Sequence, residues 1–185
     1  MEKINRINRE LIHSGAILDI YEDTVQLPSG KEEKWDFVSH RMGAACVLAV
    51  RPDGKIIMVR QYRNALDRFT IEVPAGKRDS LDEDTSICAA RELEEETGYV
   101  SDDAELLTSI YTTVAFCNEK IDIYLATELR SGVQHLDEDE YINVEAYTVD
   151  ELKQMIFDCK IQDSKTICGI LTYEAKYLRN NTEKN

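Results

Sequence analysis

No apolar run in this chain approaches the ~20 residues that span a bilayer, and its opening stretch, MEKINRINRELIHSG, holds no apolar signal-peptide core. The expectation is a cytoplasmic protein with no membrane partner. Proline is scarce, at three residues, and glycine numbers eight in 185, which excludes a low-complexity chain. The five cysteines (Cys46, Cys88, Cys117, Cys159, Cys168) are odd in number, widely spaced and form no C-x-x-C. That pattern favours reduced, mostly buried thiols over disulfides or a zinc site, and no histidine stands where it would activate a cysteine nucleophile. His13, His40 and His135 show no ligand spacing. Positive charge is also short: 22 Lys and Arg stand against 36 Asp and Glu, a formal net charge of −14. Such a surface repels phosphate backbones, so nucleic acid is excluded as a partner. An anionic small molecule would need local cations.

What is present reads as alternating strands and helices. Residues 16–27 alternate as a strand, PSG at 28–30 turns, and residues 32–39 return, giving an amino-terminal β-hairpin that carries Trp35. AACVLAV (44–50) is a continuous apolar run, as a strand buried on both faces requires. RPDG then turns into KIIMVRQYR (55–63), its expected hairpin partner. Further strands are expected at 69–73, 104–112, 120–127 and 141–149. Thr148 with Glu151 fits a capping box and opens a helix whose Leu152, Met155, Ile156 and Cys159 share a face; a last helix covers about 164–178. This order implies a mixed sheet between helical layers, an α/β fold. The division expected is 1–42 as an amino-terminal strand and dimerisation segment, 43–180 as the main domain, and 181–185 as a disordered tail.

The chemistry concentrates in GKRDSLDEDTSICAARELEEETGY, residues 76–99. Asp84 suits an N-cap and Gly98 a left-handed C-cap, so the helix spans about 85–97. At 100° per residue Glu92, Glu95 and Glu96 fall within one arc beside the core-facing Ala89, Ala90 and Leu93, while Glu94 points elsewhere. Three carboxylates that close repel one another unless a cation joins them, and hard oxygen donors suit Mg²⁺ or Mn²⁺. A solvated, Glu-rich helix is the plainer alternative. Context favours the metal: the strand FTIEV runs into Pro74-Ala75-Gly76, where glycine lets backbone approach a ligand and the Ala75 carbonyl can join the shell. Arg91 can hold a carboxylate by pairing with Glu95 or Glu83.

The same stretch resembles the Nudix box, G-x5-E-x7-R-E-U-x-E-E-x-G-U, with U a bulky apolar residue. Arg91, Glu92, Leu93, Glu95, Glu96, Gly98 and Tyr99 match, and seven residues separate Glu83 from Arg91, as the pattern requires. Between Gly76 and Glu83 lie six residues where the pattern has five, a one-residue loop insertion. PAG before the box, QYR (61–63) upstream and DEDEYINV (137–144) downstream are similar to the ADP-ribose pyrophosphatase type. The resemblance implies an α/β/α sandwich with the amino-terminal hairpin as an appendage, and a homodimer built partly from that hairpin. It implies Mg-dependent hydrolysis of ADP-ribose or a related nucleoside diphosphate sugar to a nucleoside monophosphate and a sugar phosphate.

Carried over by position, Ala75, Glu92, Glu95, Glu96 and Glu140 become metal ligands. Glu138 becomes the general base, with the Glu138 and Glu140 roles open to exchange. Glu95 and Arg91 support catalysis, and Trp35, Arg63 and Glu72 touch substrate: Trp35 by stacking on the base, Arg63 by gripping a phosphate, Glu72 by bonding a ribose or base. Structural roles are the alternatives for Trp35, as a core or dimer-interface residue, and for Arg63, as one half of a surface ion pair. One departure stands out. Val114 occupies the place of a proline usual in ADP-ribose pyrophosphatases, which keeps GDP-mannose- or UDP-glucose-type substrates open. The rivals from other classes are a non-catalytic nucleotide sensor, which would carry a degraded box, and an acidic calcium-binding protein, for which the D-x-D-x-D-G loop is missing.

Overall fold

The computed structural model describes residues 2–138 and 140–179; the tail expected to be disordered at 181–185 lies outside them. The chain divides into two units. One comprises Met1–Gly43 and Tyr111–Lys120, the other Ala44–Ile110 and Ile121–Asn185. The first unit thus takes in a segment, Tyr111–Lys120, that a division after residue 42 assigns to the second.

In the first unit the expected hairpin is present as β2 (Leu18–Gln26) and β3 (Glu32–His40), and a further strand, β1 (Asn5–Ser14), pairs antiparallel with β2. Apolar periodicity gives no hint of β1, because Asn, Arg and Glu occupy both of its faces. It is held by cross-strand charge: Arg9 grips Asp23 through Nε and Nη2, each at 2.6 Å, and its guanidinium lies 3.7 Å from the Phe37 ring centre. The Tyr111–Lys120 segment joins β3 through Val38 N–H to the Phe116 carbonyl at 2.7 Å.

In the second unit β4 (Ala44–Ala49) pairs parallel with β10 (Lys120–Ala126), not with β5 (Ile56–Arg63) as expected from the turn between them. Among the described residues, the strand pairing toward β5 is an isolated bridge between Val50, just past β4, and Ile56. The turn at 51–54 carries the chain from one sheet to another, which a run buried on both faces allows and local turn chemistry does not reveal. The mixed sheet runs β7 (Ala75–Lys77), β4, β10, β9 (Glu105–Tyr111); a second runs β12 (Asn143–Tyr147), β5, β6 (Arg68–Glu72); β8 (Tyr99–Val100) pairs with β11 (Arg130–Ser131).

The helices are α1 (Thr85–Thr97), α2 (Val149–Phe157) and α3 (Ser164–Tyr173), the last continuing as a π-helical turn, Glu174–Leu178. Strand period sorts the core. Ala45, Val47 and Ala49 of β4 pack with Cys88, Ala89 and Leu93 of α1, while Cys46, Leu48 and Val50 pack with Leu152 of α2 and Ile170 of α3. Helices therefore cover both faces, the expected α/β/α sandwich. The expected caps form: Asp84 accepts from Ser86 N–H, Gly98 sits at φ 71°, and the Thr148–Glu151 capping box closes. Cys159 departs from its expected helix face; it lies beyond α2, exposed, at φ 57°. Among the described residues no helix is long and apolar enough to cross a membrane.

Candidate active site

α1 sets Glu92, Glu95 and Glu96 on one arc, as the spacing predicts, but burial grades them. Glu92 is 8% exposed and Glu96 2%, while the Glu95 side chain is 38% exposed. Arg91 sits at the centre. Its Nη1 donates to Glu92 Oε1 at 2.7 Å and to Glu95 Oε2 at 2.9 Å, and its Nε to Glu83 Oε1 at 3.2 Å. Both pairings expected for Arg91 thus form together. Glu83 also accepts from Asp79 N–H at 2.7 Å, which folds the loop carrying the extra residue back on itself and leaves the helix register intact.

β7 supplies the other wall. Ala75 N–H donates to Glu96 Oε2 at 2.9 Å, so the residue expected to offer its carbonyl stands beside that carboxylate. Gly76 lies against Glu92 so closely that a Cβ added there would fall 2.0 Å from Oε1. Only glycine leaves the carboxylate this space.

Burial, then repulsion from Glu95 and Glu140, pushes Glu92 up to about 7 despite Arg91. Burial, with Glu92 and Glu140 adding repulsion, pushes Glu96 up to about 8 against the Ala75 N–H. Two buried carboxyls, Glu92 sharing Arg91 with two other glutamates and Glu96 bonded by one backbone N–H, form a hard-oxygen donor set that fits a divalent cation. Among the described residues no three acidic, His or Cys side chains converge in ion-holding geometry; Glu92 and Glu95 are both turned onto Arg91.

The acidic loop is tied to the end of α1. His135 N–H donates to the Glu95 carbonyl at 2.9 Å, and Gln134 Nε2 to the Glu96 carbonyl at 2.7 Å, satisfying carbonyls that a helix end leaves open. Nothing in the sequence marked Gln134 for this. Glu140 is half-buried and near enough to raise the proton affinity of both Glu92 and Glu96. Glu138 is exposed, and no hydrogen bond joins it to the helix carboxylates among the described residues.

Arg63 and Glu72 meet: Arg63 Nε and Nη2 donate to the two Glu72 oxygens at 2.8 and 2.7 Å. Lys165, which spacing does not single out, reaches Glu72 Oε2 from α3 at 2.5 Å. Trp35 belongs to the first unit. The residue is 46% exposed on a recess of about 810 Å³ walled by Ile20, Val38, Ala115 and Phe116 and edged by Lys34 and Asp36, so it is not a core tryptophan of that unit.

Residues 39–167 match the NUDIX domain family. The chain belongs to the Nudix family. The Nudix chain is 40% identical over 172 residues to the ADP-ribose pyrophosphatase of Bacillus subtilis (strain 168), covering 92% of each protein. It is also 40% identical over 166 residues to the methanol dehydrogenase activator of Bacillus methanolicus, covering 89% of each. A solved structure described as an ADP compounds hydrolase superposes with a TM-score of 0.87 over 98% of this chain and 97% of that one, at 16% identity, which shows the shared fold.

Proposed function

We propose that this Nudix chain hydrolyses the pyrophosphate bond of ADP-ribose or a related nucleoside diphosphate sugar, with Mg²⁺ (or Mn²⁺) as cofactor, to a nucleoside monophosphate and a sugar phosphate. The observation that most supports it is the pair Glu92 and Glu96: buried, short of positive charge, and pressed against Ala75 and Gly76. In this reading Glu92, Glu95, Glu96, Glu140 and the Ala75 carbonyl hold the cofactor. When bound, it would neutralise the diphosphate and lower the pKa of a water, so that the deprotonated water can attack phosphorus. Arg91 keeps Glu92 and Glu95 in place before the cofactor arrives. Arg63 pairs with phosphate oxygens. Glu138 takes the proton of the attacking water at its carboxylate; the pH profiles of Glu138→Gln and Glu140→Gln distinguish this from the reverse assignment. Trp35 stacks on the base, a contact worth ~1–3 kcal/mol.

The same reading makes the protein a cytoplasmic homodimer joined through the first unit, whose β1 exposes Ile7, Leu11 and Ile12; sedimentation velocity checks the dimer. Val114, 85% exposed, stands where ADP-ribose enzymes usually hold proline, and this favours GDP-mannose- or UDP-glucose-type sugars as the second reading. A substrate panel with product identification in ¹⁸O-water tests all of this. Turnover of ADP-ribose supports the first reading and turnover of the other sugars alone the second. Binding without turnover would replace the enzyme by a sensor.

A further inference from the structure

Glu72 is 3% exposed, yet four donors converge on it. Besides the two bonds from Arg63, Thr70 Oγ1 donates to Oε1 at 2.6 Å and Lys165 Nζ to Oε2 at 2.5 Å. A carboxylate offers about four acceptor positions, so none is left for a sugar hydroxyl or a base edge. Lys165 is itself 8% exposed, a place an ammonium rarely occupies unless paired. It also meets Asp163 Oδ2 at 3.0 Å.

The ammonium comes from a fixed platform. Asp163 caps α3, accepting from Thr166 N–H at 3.0 Å and from Thr166 Oγ1 at 2.6 Å, and Thr166 Oγ1 accepts from Val73 N–H at 3.0 Å. The first turn of α3 is therefore bolted to the end of β6, next to Glu72. Of the two cations, Arg63 is the one that reaches solvent, its side chain 40% exposed. It lies near enough to Glu96 for each to favour the charged form of the other. A free arginine loses much rotamer freedom on binding an anion; a bidentate carboxylate fixes its plane beforehand. Lys165, sharing the Glu72 charge, also keeps that carboxylate from cancelling Arg63 outright.

We propose that Lys165 and Glu72 are positioning residues: the α3 ammonium clamps Glu72, and Glu72 holds Arg63 with one guanidinium edge turned toward the phosphates of the substrate. This rests on the pyrophosphatase reading and deepens it, moving Glu72 from substrate contact to support and adding Lys165. The clamp acts on binding, so it alters KM and leaves kcat.

The test is a double-mutant cycle with ADP-ribose as probe, reading kcat, KM and Tm for wild type, Lys165→Met, Arg63→Ala and the double variant. Lys165→Met raises KM about tenfold with kcat within about twofold, and adds nothing in the Arg63→Ala background, because the clamp acts only through Arg63. KM effects that multiply in the double variant, or wild-type KM in folded Lys165→Met, overturn the clamp. So does Arg63→Ala with wild-type KM, although turnover itself then survives. Absence of turnover in the wild type is a different failure, that of the hydrolase reading; the same cycle is then read as Kd for ADP-ribose by calorimetry, with the same criterion of no added effect. If Lys165→Met does not fold, Glu72→Gln replaces it, with the same expected KM rise masked by Arg63→Ala. If neither folds, the network is purely structural and the proposal is lost.

Discussion

Glu96 and Glu72 are two glutamates of nearly equal burial, 2% and 3% exposed, whose acidities diverge. Burial pushes Glu96 up to about 8, and neither the N–H of Ala75 nor the charge of Arg63 offsets it. Burial also works against Glu72, but Arg63 and Lys165 overcome it and hold its carboxyl down at about 2. Depth in the protein is the same; the number of cations within reach differs. Around α1 one arginine serves Glu83, Glu92 and Glu95, whereas around Glu72 the charges balance, with Arg63 and Lys165 facing Glu72 and Asp163. A cluster short of positive charge raises the proton affinity of its carboxyls, and a balanced one keeps them ionised.

The widest way to drive the two regions apart is Glu96→Gln. We expect kcat to fall about 10³-fold, equal to roughly 4 kcal/mol of transition-state stabilisation, with Tm unchanged or raised, because the amide removes a buried, poorly compensated carboxyl. Wild-type turnover in that variant would undo the assignment of the site. Next comes Gly76→Ala. The new Cβ meets Glu92 only at the end of a movable side chain, so the carboxylate swings away while the fold persists. Activity should drop about 10- to 100-fold, in the range seen when supports of ligand groups are lost, with little change in the urea midpoint. A folded variant at full activity would contradict the close approach.

The balanced region is probed by acid. Glu72 titrates near 4.5 when unfolded and at about 2 when folded. Its contribution to stability is therefore complete above pH 4.5 and is lost as pH falls from there toward 2. The difference in urea stability between wild type and Glu72→Gln should shrink over that window; a constant difference would mean that Lys165 and Arg63 do not stabilise the ionised form. The smallest effect concerns neither charge cluster. Asp84→Ala removes the α1 cap and should cost about 1 kcal/mol in urea unfolding, without altering KM, since Glu92 and Glu96 lie two or more turns away.

What the sequence made readable follows from range. Asp84, Gly98 and the Thr148–Glu151 box act on neighbours a few positions away, and each formed as its spacing predicts. The arc of Glu92, Glu95 and Glu96 followed from helical period alone, and the pairing of Arg91 from the distance of one turn. The parallel pairing of β4 with β10 joins residues far apart in sequence, Ala44 with Ile121, and stands in place of the hairpin that local turn chemistry favours. β1 has no apolar face to mark it; its ladder to β2 and one ion pair, Arg9–Asp23, hold it. Lys165 meets Glu72 across 93 positions, and nothing in DSKTICG announces it. For Glu72 itself, sequence position pointed toward substrate, but only the spatial partners reveal that its lone pairs are taken.

The bolt between Thr166 and Val73 has a consequence for anyone wishing to transplant this chemistry. Every matched box residue lies between Gly76 and Tyr99, yet the peptide link that delivers Ala75 to Glu96 is braced from α3. A graft carrying residues 63–99 but not the Asp163–Thr166 turn would import the acidic helix without that brace and leave Arg63 to compensate Glu72 alone. The motif is thus not a portable cassette, and its working unit extends at least to Thr166.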